Sequence, residues 1–123
     1  MKALATALLL LAQAPEPLTL SCNGKATDYL LGKNTYPVNG LGIIVDMQRK
    51  KISGLREHTE DADIVRVEGT LIHFSRGSPT EITGSIDRVS GQTFFTFYSR
   101  DIRGALAWTE RYDLVCKPAS RMF

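Results

Sequence analysis

Apolar and polar positions alternate most clearly in the second half of the chain. In Glu81–Ser99, the residues Ile82, Gly84 and Ile86 fall on one face of an extended chain, and the residues between them are polar. The following Thr93–Tyr98 is dense in aromatic and β-branched residues, which suit a pleated, half-buried surface. This stretch therefore predicts two antiparallel strands joined by a tight turn.

The turn between these strands is predicted at Arg88–Gln92. Gly91 can take the left-handed conformation that a short hairpin loop needs, and Asp87 and Ser90 can accept hydrogen bonds from the free amides of the turn. The stem of Arg88 is expected to cover apolar surface. Asp87 and Arg88 also form a candidate binding site, because a rigid turn would display both side chains.

Shorter alternating stretches predict further strands on both sides of this hairpin. They are Leu18–Cys22, Gly42–Met47, Lys51–Leu55, Ile64–Val67 and Thr70–Ser75 before it, and Ala107–Cys116 after it. Asn23-Gly24 predicts a turn. Gly32–Gly42, which is rich in Gly, Pro and Asn, is predicted as a loop, and so is the polar Arg56–Asp63. No amphipathic helix of useful length is expected after the N-terminus.

The first and last of these strands each carry a cysteine on the apolar face. Cys22 shares its face with Leu18 and Leu20, and Cys116 lies on the face of Trp108, Tyr112 and Leu114. Both sulfurs then point inward, and a disulfide would bring the chain ends together. Seven or eight strands arranged in this way predict an all-β fold, an antiparallel meander that closes or nearly closes into a small barrel. A two-sheet sandwich is the alternative.

The N-terminus has the pattern of a secretory signal peptide. Lys2 precedes the apolar Ala3–Ala12, and Ala12-Gln13-Ala14 offers a small-x-small cleavage pattern. Cleavage is expected after Ala14 or, alternatively, after Ala12, and residues 15–123 are predicted to form a single β domain. The apolar run is about half of the ~20 residues that a membrane-spanning helix requires, so no membrane span is expected after cleavage.

An exported protein with an even number of cysteines is expected to form a disulfide, here Cys22–Cys116, in the periplasm or outside the cell. Two buried free thiols, a metal site and a lipid anchor on Cys22 are the alternatives. The chain carries 15 basic and 13 acidic residues, and this near-balance gives no electrostatic reason to expect nucleic acid or an anionic membrane as a partner.

Motifs for catalysis are missing from the sequence. There is no Gly-rich phosphate loop, nucleophile elbow or HExxH motif. His58 lies in the acidic loop, and His73 is predicted on the outer face because it stands between Ile72 and Phe74. We therefore predict a non-enzymatic protein with no catalytic residues, cofactor or metal. A small hydrolase or lyase that uses Asp87, His73 or His58 is a further alternative.

A second candidate binding site lies near the last strand. It comprises Arg100, Arg103, Trp108 and Arg111, because arginines beside an aromatic ring can recognise a carboxylate or a protein surface. The basic Arg49-Lys50-Lys51 could also dock an acidic partner. The expected partner is a periplasmic or extracellular protein or a small acidic ligand.

Three segments carry a resemblance to known proteins. Leu20–Gly24, Gly84–Gly91 and Tyr112–Ala119 resemble small exported bacterial proteins of uncharacterised function, which imply no activity. The Cys-Asn-Gly run and the late cysteine also resemble, more weakly, periplasmic inhibitors of C-type lysozyme. That resemblance implies a β-barrel that blocks a cell-wall hydrolase. The inhibitory Ser-Gly-x-x-Tyr segment of these inhibitors is matched only by the Ser-Gly of Ile52–Arg56, which lacks the tyrosine.

Overall fold

The chain folds as an all-β protein. The structure, a computed structural model, describes residues 17–30, 32–56, 61–77 and 80–119. Within these ranges no helix is long and apolar enough to cross a membrane. The eight strands are β1 (Leu18–Asp28), β2 (Asn34–Asp46), β3 (Lys51–Ser53), β4 (Ala62–Glu68), β5 (Leu71–Arg76), β6 (Thr80–Asp87), β7 (Gln92–Arg100) and β8 (Leu106–Pro118).

The strands pair in chain order, each antiparallel to the next, and β8 pairs with β1. The sheet therefore closes on itself, which confirms the predicted closed meander over the sandwich alternative. The start of β1, the β6–β7 turn and the end of β8 lie at one end of the barrel, here called the disulfide end. Asp28, Tyr36 and Trp108 lie at the opposite end, here called the tryptophan end.

The disulfide joins the first and last strands. Cys22 and Cys116 lie directly opposite each other in the β1–β8 pair and are bonded. The pairing confirms the prediction and excludes free thiols and a lipid anchor on Cys22. It closes a loop of sequence separation 94, which in the chain-entropy model stabilises the fold by about 4–5 kcal/mol.

Four aromatic rings fill the middle of the barrel. Phe95 stacks on Tyr112 with ring centroids 4.6 Å apart, and Phe97 meets Phe95 edge to face at 5.7 Å. Phe74 completes the cluster at 6.3 Å from Phe95. All four side chains are buried, as the alternation on these strands requires.

The predicted turn of the central hairpin is confirmed in detail. The Asp87 carboxylate accepts hydrogen bonds from the amides of Val89, at 2.8 Å, and Ser90, at 3.3 Å. Gly91 has a φ of 77°, and a Cβ on it would lie 2.0 Å from the carbonyl oxygen of Cys116. Only glycine fits there, because both the backbone conformation and the close approach of β8 exclude a side chain.

The prediction of a loop at Gly32–Gly42 is wrong, because most of this segment belongs to β2. The first half of β2 pairs with β1 alone, since β3 reaches only Ile44, Val45 and Asp46. Pro37, which has no amide hydrogen, is tolerated in a strand that has an unpaired edge on its other side. Composition suggested a loop, but pairing with β1 determines the conformation.

The turn predicted at Asn23-Gly24 is also wrong, because β1 runs through both residues. The register between β1 and β2 shifts between Cys22 and Gly24, and the Asn23 side chain accepts a hydrogen bond from the Gly40 amide at 2.8 Å. A Cβ on Gly24 would lie 2.1 Å from the backbone oxygen of Asp113. These two residues therefore mark an irregularity within the sheet and a close contact with β8.

Two other predictions need correction, and three lie outside the described residues. Leu18, predicted to face inward, is 50% exposed at the end of the barrel. The polar loop predicted at Arg56–Asp63 is shorter than expected, because β4 begins at the buried Ala62. The predicted signal peptide at 1–14, its cleavage site and His58 lie outside the described residues.

Candidate functional site

A cavity of about 410 Å³ opens at the disulfide end of the barrel. Its buried lining comes from five strands and is aliphatic apart from one disulfide cysteine: Leu20, Val45, Ile72, Ile86 and Cys116. Leu18, Met47 and Val89 border the opening and are largely exposed. The volume falls within the range of about 300–1,000 Å³ that is typical of small-molecule sites.

The alternation of the strands explains why the cavity forms at this end. Inward-facing positions near the disulfide end carry aliphatic side chains, whereas the middle of the barrel is filled by the rings of the aromatic cluster. Leu, Ile and Val side chains extend less far from the wall than phenyl rings. The interior is therefore closed in the middle and open at the disulfide end.

Charged side chains border this apolar cavity. Arg88 and Lys117 line it together with Asp87 and Ser90. The backbone amides of Val89 and Ser90 hold the pKa of Asp87 below its usual value, so this carboxylate stays ionised. The guanidinium of Arg88 donates to the carbonyl oxygen of Gly69, and this hydrogen bond fixes its position beside the opening. Two cations and one anion thus surround an aliphatic interior.

The structure separates the predicted binding residues between the two ends of the barrel. Asp87 and Arg88 border the cavity of the disulfide end. Arg100, Arg103, Trp108 and Arg111 lie on the last two strands and the connection between them. The six candidates therefore do not form one site, and their binding roles stay predictions.

The arginines of that second group have separate environments. Arg100 forms an ion pair with Glu81 at 2.9 Å, and Arg103 is exposed in the turn between β7 and β8. Arg111 lies on the outer face, 3.3 Å from the Asp113 carboxylate. These side chains do not converge on the Trp108 ring.

A different arginine contacts the tryptophan. The guanidinium of Arg56 lies 4.4 Å from the centroid of the Trp108 ring and 5.5 Å from that of Phe97. The indole nitrogen of Trp108 donates to the Asp28 carboxylate at 3.1 Å. These contacts anchor the tryptophan on both its face and its edge.

Glu110 is buried beside this group, with 4% of its surface exposed. The Tyr36 hydroxyl donates to its Oε2 at 2.9 Å and lies 3.4 Å from the Tyr112 hydroxyl. Burial raises the pKa of Tyr112 well above its ordinary value, and the hydrogen bonds with Tyr36 and Glu110 raise it further. Burial also raises the pKa of Tyr36. Both phenols are therefore neutral and able to donate.

No known protein family, curated protein or solved structure matches this chain. Among the described residues, no group of three or more His, Cys, Asp or Glu side chains is placed to hold a metal ion.

The geometry also bears on the catalytic alternative. His73 lies on the face of β5 opposite the buried Ile72 and Phe74, as predicted. It does not line the cavity that includes Asp87, although the two residues are on neighbouring strands. The described residues thus do not join His73 and Asp87 in this cavity.

Three residues at the tryptophan end were not predicted from the sequence: Tyr36, Arg56 and Glu110. Glu110 occupies the same face of β8 as Trp108 and Tyr112, so strict alternation would have placed its carboxylate inside. Tyr36 was missed because its strand was predicted as a loop. No local signal connects Arg56 with a tryptophan so far along the chain.

Proposed function

We propose that this protein is an exported, non-enzymatic binding protein that takes a small amphipathic molecule into the cavity of the disulfide end. The ligand has an apolar body and an anionic group. The single observation that carries the proposal is an aliphatic cavity of about 410 Å³ with Arg88 and Lys117 at its opening. Export to the periplasm or the medium belongs to this proposal, and the disulfide is compatible with an oxidising compartment.

The lining matches such a ligand in both of its parts. An apolar body gains roughly 25 cal/mol for each Å² removed from water, which makes the aliphatic interior the main source of affinity. The anionic group stays at the opening, where Arg88 and Lys117 attract it and water still solvates it. The hydrogen bond from Arg88 to Gly69 favours binding, because it limits the side-chain entropy lost when the complex forms.

The test is a fluorescence titration with the anionic dye 1-anilinonaphthalene-8-sulfonate. We expect saturable binding that decanoate displaces, whereas decyltrimethylammonium, with the same tail and the opposite charge, displaces it poorly. Leu18→Glu adds a negative charge at the opening, where residue 18 is half exposed, and should weaken binding on the order of tenfold. The matched control Leu18→Gln should bind nearly as well as the natural chain.

Two results would refute this function. One is equal displacement by the anionic and cationic amphiphiles, because the rim charges would then be irrelevant. The other is dye binding that Leu18→Glu leaves unchanged, which would place the dye elsewhere. Val65→Glu, a substitution at an exposed position of β4, controls for a general effect of added negative charge.

The lysozyme-inhibitor alternative has less support from the geometry. It depends on Ile52–Arg56, where Ile52 and Leu55 are buried. Gly54 is packed so closely that a Cβ on it would lie 2.3 Å from the carbonyl oxygen of Gly42. This segment thus belongs to the barrel wall. Assays of C-type lysozymes with micromolar purified protein test the alternative, and unchanged rates would remove it.

A further inference from the structure

The tryptophan end contains a buried hydrogen-bond acceptor that has no partner among the described residues. Within that part of the chain, Glu110 Oε1 is shielded from solvent and accepts no hydrogen bond, whereas Oε2 accepts one from Tyr36. Leaving a buried acceptor unpaired destabilises the folded state, and more strongly when the group is charged. Such a group in a folded protein calls for an explanation, and one explanation is a ligand that supplies the missing donor.

Glu110 also lines a shallow depression that is largely open to solvent. The lining of this depression consists of Asp28, Leu30, Arg56, Ser99, Trp108 and Glu110. Two carboxylates and one guanidinium give this lining a net negative charge when all three groups are ionised. An anionic ligand is therefore disfavoured, and a cationic one is attracted.

The aromatic ring in this lining already holds a cation. Arg56 places its guanidinium 4.4 Å from the centroid of Trp108, a distance typical of cation–π contacts. Trp108 is in turn fixed by the hydrogen bond from its indole nitrogen to Asp28. The site thus already contacts a planar cation with N–H groups, the guanidinium of Arg56. This contact indicates that an organic cation with N–H donors is the kind of ligand that suits the site.

From these observations we infer that the tryptophan end is a second binding site, for a small organic cation that carries N–H donors, such as a primary ammonium. The ammonium donates to Glu110 Oε1 and is attracted by the Asp28 carboxylate. Because Oε1 is shielded, a lining side chain must move first. Arg56 is that side chain, because its guanidinium covers the rings of Trp108 and Phe97. Phe97 lies directly opposite Glu110 in the β7–β8 pair.

This site is independent of the proposed function at the disulfide end, and its ligand has the opposite charge. The chain contains a single tryptophan, and it lies in this site. Intrinsic fluorescence therefore reports on the tryptophan end alone, whereas the anionic dye reports on the cavity of the disulfide end. Leu18→Glu should leave the tryptophan response unchanged, so the two proposals can fail separately.

The experiment is a tryptophan-fluorescence titration with n-propylammonium chloride at constant ionic strength. Tetramethylammonium, which has the same charge and no N–H group, and propionate, which has the opposite charge, serve as matched probes. We expect a saturable change in fluorescence with n-propylammonium and no response to propionate. The affinity for tetramethylammonium should be at least about tenfold lower, because a hydrogen bond from N–H to a carboxylate is worth roughly 1.5–3 kcal/mol.

Three variants locate the binding. Glu110→Gln should lower the affinity at least tenfold, and Arg56→Gln should raise it, because the competing cation is removed. Glu68→Gln, an exposed glutamate of β4 that pairs with Arg66, should change nothing. Circular dichroism and urea midpoints establish that each variant is folded.

The proposal is overturned if no saturable change occurs, or if tetramethylammonium binds as tightly as n-propylammonium. It is also overturned if Glu110→Gln binds as well as the natural chain, or if Arg56→Gln weakens binding. Should Glu110→Gln fail to fold, the direction of the Arg56→Gln effect and the comparison of the two cations decide the matter.

Discussion

Gly84 lies in the middle of β6 and faces the aromatic cluster. A Cβ at this position would lie 2.5 Å from the ring of Phe74, 2.5 Å from the carbonyl oxygen of Phe94 and 2.6 Å from the Cβ of Phe95. The Phe74 ring can rotate away, but the Phe94 oxygen belongs to the backbone of β7. Gly84→Ala therefore forces β6 and β7 apart or displaces the rings.

The magnitude follows from these contacts. Overpacking a well-filled core by one methyl group costs about 1–3 kcal/mol, and weakening an aromatic pair adds about 0.5–1.5 kcal/mol. The lower chain entropy of alanine in the unfolded state offsets about 0.4–1 kcal/mol. We therefore expect Gly84→Ala to lower the free energy of unfolding by about 2 kcal/mol, within a range of about 0.5–4 kcal/mol.

Gly42→Ala is the matched control. Gly42 also lies in a strand, its φ is outside the left-handed region, and a Cβ there would meet no atom within 4 Å. This variant should be as stable as the natural chain, or slightly more stable.

Urea unfolding followed by circular dichroism measures both variants. With an m-value of about 1–3 kcal/mol/M, Gly84→Ala should lower the urea midpoint by about 1 M. If Gly84→Ala unfolds at the same urea concentration as Gly42→Ala, the close packing of Phe74, Phe94 and Phe95 around β6 is refuted.

Two further predictions concern the disulfide and the buried phenol. Replacing Cys22 and Cys116 by alanine should lower the free energy of unfolding by up to about 4–5 kcal/mol. A reductant should lower the urea midpoint of the natural chain to that of the double variant. An unchanged midpoint would mean that no disulfide forms. The pKa of Tyr112 is raised in the folded state. Above about pH 10 the unfolded state therefore releases a phenol proton that the folded state keeps. The free energy of unfolding should fall as the pH rises through this range. Urea midpoints across this range should fall less steeply for Tyr112→Phe, and an equal slope would contradict the assignment.

The architecture could be predicted where local pattern and pairing agree. The central hairpin follows from alternation on both strands and from a glycine at the turn. The neighbouring positions of β1 and β8 follow from Cys22 and Cys116, because a disulfide between two inward-facing cysteines brings their strands together. The hairpin depends on short-range signals, and the closure depends on a single pair of cysteines that the sequence shows directly.

The prediction failed where contacts distant in sequence override composition. Asn34–Asp46 contains a proline and two glycines, yet it forms a strand because β1 supplies hydrogen bonds along its length. Asn23 and Gly24 have the composition of a turn, but they accommodate a register shift and the close approach of β8. A single sequence does not show which distant segments will become neighbours in the sheet.

The candidate sites were only partly visible in the sequence. Asp87 and Arg88 were chosen as binding residues and do border the cavity, but its aliphatic lining assembles from strands far apart in the chain. At the opposite end, Trp108 was identified without its contacts. Arg56 and Asp28 reach it only through closure of the ring.

The shortest strand makes one side of the ring weaker than the rest. β3 pairs through three residues with β2 and through two with β4, whereas β1 and β8 pair through nine and are also cross-linked. We therefore expect thermal opening of the ring to begin at β3, while the covalent bond keeps β1 and β8 together. Such an opened form has two free strand edges, on β2 and β4, which can pair with the edges of another molecule.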